Sequence, residues 1–154
     1  MKKKKGIKIS IMTLLTVFLL LIGSTSVFAA VINYESEPND GFTTANTMIH
    51  LSYGENYGKI SSYSDIDNWK FYTKSSRNHY VGIVLPENTK YTFTVYEYSA
   101  TGYKLITSSN NWVMLPGDNT TTGLSREYYV VVSAPNGSYI SPEYYHLYFY
   151  DDLP

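Results

Sequence analysis

The sequence predicts an all-β domain, an antiparallel β-sandwich or jelly-roll-like fold of about 7–9 short strands, after an N-terminal export signal. Three observations predict it. Segments of period-2 alternation, rich in Tyr, Val, Thr and Phe, recur between clusters of Gly, Pro, Asn and Ser. Past residue 30, no helical periodicity persists for the ~11 residues that mark a helix. With no cysteine in the chain, a disulfide framework is excluded, so stability must come from a core or a bound ion.

The elements follow in order. Lys2, Lys3, Lys4, Lys5 and Lys8 form a basic head before an apolar run that ends in Val27-Phe28-Ala29-Ala30. This is the pattern of a secretory signal peptide, cleaved after Ala29 or Ala30. The run is short for a membrane span, which needs ~20 residues, so a retained anchor is the weaker alternative. Taking those five lysines from the 12 basic residues leaves 7 against 13 acidic ones, a net charge of −6 for residues 31–154. An acidic surface excludes nucleic acid as a partner. Residues 31–154 carry no repeat, linker or low-complexity tract and read as one domain.

One short helical turn is possible at 43–48. The clearest strands are 68–74, 79–85, 91–99, 103–107, 111–115, 127–134 and 144–150, with a weaker one at 56–61. Turn residues such as Pro86-Glu87-Asn88, Ala100-Thr101-Gly102 and Pro135-Asn136-Gly137 separate them.

Chemistry concentrates in Glu35-Ser36-Glu37-Pro38-Asn39-Asp40. If this segment is extended, Glu35, Glu37 and Asn39 share one face, and Pro38 is tolerated as on an edge strand. Oxygen donors gathered in this way suit a hard cation taking six to eight oxygens. A second pair, Asp65 and Asp67, leads into Trp69 and Phe71 on the same parity. That strand therefore passes from carboxylates at its mouth to aromatics in the core. Two other readings of the acidic residues are a solvated edge and a glycosidase acid–base pair, for which the chain supplies no sugar cleft. His50, His79 and His146 have no zinc-site spacing, and there is no nucleophile elbow or phosphate loop, so an enzyme is not expected.

On the last strand, Tyr145, Leu147 and Phe149 form a core face, with Tyr144, His146, Tyr148 and Tyr150 on the other. Tyrosines on an outer face suit recognition, although tyrosine is also an ordinary strand former that pads wet sheets.

The Glu-x-Glu-Pro-Asn-Asp motif, Asp-x-Asp before alternating aromatics, Tyr128-Tyr129-Val130-Val131-Val132 and the closing Tyr-rich strand resemble the bacterial pre-peptidase C-terminal domain family. That family includes the collagen-binding domains of secreted bacterial collagenases. The resemblance spans roughly residues 34–150. It implies a β-sandwich associated with a secreted peptidase, and Ca2+ held by Glu35, Glu37, Asn39, Asp40, Asp65 and Asp67, with Asn68 in reserve. It also implies a ligand face at Tyr148 and Tyr150, with Tyr129 across the strand pair. The expected partner is an extracellular protein, collagen-like, or a cell-surface polysaccharide. A structural or chaperone-like accessory role is the rival. The chain departs from the usual context in having no catalytic domain within its 154 residues.

Overall fold

The computed structural model describes residues 30–151, except 53, 74–76, 110–111 and 116–125; the expected signal peptide, residues 1–30, lies outside the described residues but for Ala30. Among the described residues, ten strands, more than the 7–9 expected, form two five-stranded sheets packed face to face, the β-sandwich that the sequence predicts. The first sheet contains β1 (Val31–Tyr34), β3 (Gly54–Gly58), β10 (Tyr145–Asp151), β5 (His79–Val84) and β8 (Trp112–Leu115), in that spatial order. The second contains β2 (Asn46–Thr47), β4 (Ile66–Thr73), β9 (Arg126–Ser133), β6 (Thr92–Ser99) and β7 (Gly102–Ser109). No helix among the described residues is long and apolar enough to cross a membrane.

Alternation along the strands builds the core. Trp69 and Phe71 of β4, Tyr128, Val130 and Val132 of β9, and Phe93 and Val95 of β6 point inward from the second sheet. Tyr145, Leu147 and Phe149 of β10, with Val81 and Ile83 of β5, meet them from the first. On that inner face, besides His79 of β5, lies another buried polar residue, Asn56. It is fully buried, donates to the Ile49 carbonyl at 2.8 Å and accepts from the Ile49 amide at 2.7 Å, so its burial is compensated.

Two features depart from the sequence reading. The strands are not all antiparallel, because β1 pairs β3 and β2 pairs β4 in parallel. Both extra strands are short edge pieces, four and two residues long, without a readable alternation. The possible turn at 43–48 is a single 3-10 turn, Phe42–Thr44, which passes at once into β2.

Candidate metal centre

Asp67 is the second residue of β4, and parity with Trp69 and Phe71 turns its side chain into the sandwich. A carboxylate there is fully buried and must find donors. One is the Tyr145 hydroxyl, which donates to Asp67 Oδ2 at 2.5 Å and accepts from Trp69 Nε1 at 2.9 Å. The relay joins a strand of each sheet. Burial, with the Asp67 carboxylate beside it, lifts the Tyr145 phenol well above its ordinary range.

Glu35 arrives from the opposite sheet. Its backbone amide bonds the Tyr57 carbonyl at 2.9 Å, and its Oε1 accepts from the Lys59 amide at 2.5 Å. Glycine at position 58 makes the approach possible. A Cβ there would lie 2.1 Å from the Tyr145 hydroxyl and 2.7 Å from Glu35 Oε2. Nothing in the sequence distinguishes this glycine from a strand filler; only the facing strand reveals its purpose.

Glu37 and Asn39 sit in the loop after β1, not on an edge strand, and the loop, whose Glu37–Pro38 peptide is cis, brings them to the site. Glu37 Oε2 accepts from the Asn39 amide at 2.9 Å. The Asn39 carbonyl accepts from the Asn68 amide at 3.2 Å and from Asn68 Nδ2 at 2.9 Å. Asn68 thus anchors the loop. Asn39 itself is 0% exposed, yet neither its Oδ1 nor its Nδ2 has a partner. Glu35 Oε2 and Asp67 Oδ1 are also buried, with no partner beyond the carboxyl–carboxylate contact between these two side chains.

Glu35, Glu37 and Asp67 bring one carboxylate oxygen each to within 4.8 Å of one another. Burial raises the Asp67 carboxyl to about 9, and the nearby Glu35 carboxylate adds to the shift. Burial raises Glu35 as well. Asp40 and Asp65 line the same cleft, of about 500 Å³, with Lys59, Ser61, Ser62, Ser64, Tyr34 and Tyr144. Each also caps local backbone: Asp40 Oδ1 accepts from the Ile66 amide at 3.3 Å, and Asp65 Oδ2 from the Ser61 amide at 2.5 Å. The six residues singled out from the sequence therefore converge on one corner, three of them in direct mutual reach. Crowded carboxylates, buried orphan oxygens and no soft ligand are the chemistry of a hard-cation site.

The tyrosines divide. Tyr148 and Tyr150 lie on the outer face of the first sheet. Tyr57 stacks on His146 at 4.8 Å, Tyr148 adjoins Tyr150 at 6.0 Å, Tyr150 stacks on Tyr80 at 5.1 Å, and Tyr80 borders the exposed Trp112 at 6.1 Å. Gly82 leaves room for the Tyr148 ring, which a Cβ would meet at 2.3 Å. Tyr129 does not join this row. Among the described residues its strand β9 pairs β4 and β6, both in the second sheet, and the ring is buried beneath Phe42 and Tyr103. The expectation that it lies across the strand pair from Tyr148 assumed that β9 and β10, neighbours in sequence, are neighbours in a sheet.

No protein-family model matches the sequence, and no curated protein matches it closely enough to count as a relative. Among solved structures, the chain is similar to PliG of Aeromonas hydrophila, a periplasmic inhibitor of g-type lysozyme, at 12% identity over 79% of this chain and 99% of that one, TM-score 0.46. It is also similar to the pre-peptidase C-terminal domain of collagenase from Bacillus anthracis, at 14% identity over 79% of this chain and 96% of that one, TM-score 0.43. At these values neither neighbour assigns a role to this chain.

Proposed function

We propose that this chain is an exported, non-catalytic β-sandwich module that binds calcium at the Glu35–Glu37–Asp67 corner and holds an extracellular ligand on the tyrosine-rich face of its first sheet. One observation carries the ion assignment: three carboxylates bring one oxygen each to within 4.8 Å of one another, beside a fully buried Asn39 whose side-chain amide has no partner. A divalent cation would neutralise the carboxylates and take up the orphan oxygens, with Glu35, Glu37, Asn39 and Asp67 as its nearest donors and Asp40 and Asp65 at the cleft wall. The family read from the motifs, the pre-peptidase C-terminal domain, is part of this proposal and agrees with it.

The ligand face rests on the row formed by Tyr57, His146, Tyr148, Tyr150, Tyr80 and Trp112. Tyr148 and Tyr150 are half-buried, so they serve recognition without forming the core. The test is retention of the purified module on insoluble collagen, chitin and cell-wall material. Wild type is expected on one of these supports, and Tyr148→Ala/Tyr150→Ala is expected to elute while keeping its cooperative melt. Retention of the double variant would remove the ligand face. Wild type washing freely from all three would favour the structural or chaperone-like role beside a secreted peptidase.

A further inference from the structure

Besides the bonds of Glu35 to Tyr57 and Lys59 and of Asp40 to Ile66 given above, the loop that supplies Glu35, Glu37 and Asn39 is fastened at three further places, two of which are hydrogen-bonded. At its neck the Ser36 amide donates to Asn46 Oδ1 at 3.1 Å, and Asn46 Nδ2 returns a bond to the Ser36 carbonyl at 3.3 Å. In its middle, Asn68 holds the Asn39 carbonyl. The third fastening is aromatic and lies outside the cleft. Phe42, three residues after Asn39, reaches across to the outer face of the second sheet. It stacks on Tyr103 of β7 with centroids 4.0 Å apart, and meets Tyr129 of β9 and Tyr96 of β6 edge-on at 5.1 and 5.6 Å. The 3-10 turn is stiffened beneath the ring, because Thr44 Oγ1 donates to the Gly41 carbonyl at 3.0 Å and accepts from the Gly41 amide at 3.2 Å.

We propose that Phe42 is a positioning residue: docked on Tyr103 and Tyr129, it holds the Glu37–Asp40 loop closed over Asp67 and so sets the affinity of the corner for a divalent cation. The inference rests on the ion-binding reading above and adds to it a part of the molecule that touches no ion. It also gives Tyr129 a place in the site, as the floor of the clamp. Asp67 is fixed by β4, whereas Glu37 and Asn39 reach it only while the loop is closed. An ion that needs both binds in proportion to the closed fraction. A loop closed one-tenth of the time weakens apparent affinity about tenfold. Three ring contacts on a rigid sheet raise that fraction before the ion arrives, which is preorganisation.

The experiment compares wild type with Phe42→Ala, Phe42→Tyr, Tyr103→Ala and Tyr98→Ala. Tyr98 packs on Tyr103 and Tyr129 and makes no ring contact with Phe42 among the described residues, so it controls for general damage to the cluster. Two readouts are taken: calcium affinity by calorimetry, and exchange of the Asn39 and Asn68 amides in chelator, with a melt in chelator to show that each variant folds. Phe42→Ala and Tyr103→Ala should weaken calcium about tenfold and speed both amides, Phe42→Tyr should restore both readouts, and Tyr98→Ala should leave them near wild type. Wild-type affinity and exchange in Phe42→Ala would overturn the clamp, as would Tyr98→Ala matching Tyr103→Ala. Absence of calcium binding by wild type would overturn the ion reading and the affinity effect with it; amide exchange then still decides whether Phe42 holds the loop.

Discussion

Opposite ends of the sandwich each hold a carboxylate on β4 or β10, and the two are satisfied differently. At the end of β10, Asp151 Oδ1 meets His79 Nδ1 at 2.6 Å and His50 Nε2 at 3.5 Å. The protein supplies that carboxylate's partners itself. At the start of β4, Asp67 has Glu35 and Glu37 for neighbours, and the basic side chain in the cleft, Lys59, has its Nζ 5.9 Å from the Tyr144 ring. One corner is complete as folded, and the other buries carboxyl groups and crowds them so closely that Asp67 keeps its proton up to about pH 9 when no ion is bound. The difference teaches that an acidic residue is informative when burial and neighbours leave it without a cation, not when it is merely present.

The comparison breaks most forcefully at Gly58. Gly58→Ala drives a Cβ into the Tyr145 hydroxyl and Glu35, so overpacking and loss of the bonds to Trp69 and Asp67 should together cost about 3 kcal/mol or more and end any calcium response. Chemical denaturation checks this. Tyr145→Phe should cost about 1–3 kcal/mol, because Trp69 Nε1 and Asp67 Oδ2 lose their shared partner in a buried place. At the self-sufficient corner, Asp151→Asn should cost only about 1 kcal/mol, since the side chain is partly exposed, and should leave the calcium response intact. Denaturation with and without calcium would measure both effects.

A change of pH sharpens the comparison further. In the ion-free protein, the Asp67 carboxyl sits at about 9 against an ordinary value near 4. A raised folded value favours the fold below the ordinary value, and that advantage is lost as pH climbs through about 9. Melts in chelator should therefore fall from pH 5 towards pH 9, and Asp67→Asn should flatten that decline. An equal decline in the variant would place the titrating group elsewhere.

Much of this was legible in the sequence, but not evenly. Strand parity alone turned Asp67, Trp69 and Phe71 to one face, because the pleat is a local property. Glu35, Glu37 and Asn39 were found by residue type, although a loop, and not an edge strand, brings them together. Alternation cannot tell which strands become neighbours, so Tyr129 was placed beside Tyr148 when it belongs to the other sheet. β1 and β2 were missed because pieces of four and two residues hold too little pattern. Gly58 and Phe42 matter only through residues far off in the chain, and no local signal could have marked them.

The central claim is that the Asp67 corner needs a cation that the Asp151 corner does not. Thermal melts of wild type and Asp67→Asn, each in chelator and in calcium, test it most directly. Calcium at 100 times its dissociation constant should stabilise wild type by about 2.7 kcal/mol, a shift on the order of 10 °C. Asp67→Asn should melt in chelator no lower than wild type and gain almost nothing from calcium. Identical wild-type melts in chelator and in calcium, with no heat of binding on titration, would contradict the account and leave the cluster an acidic edge.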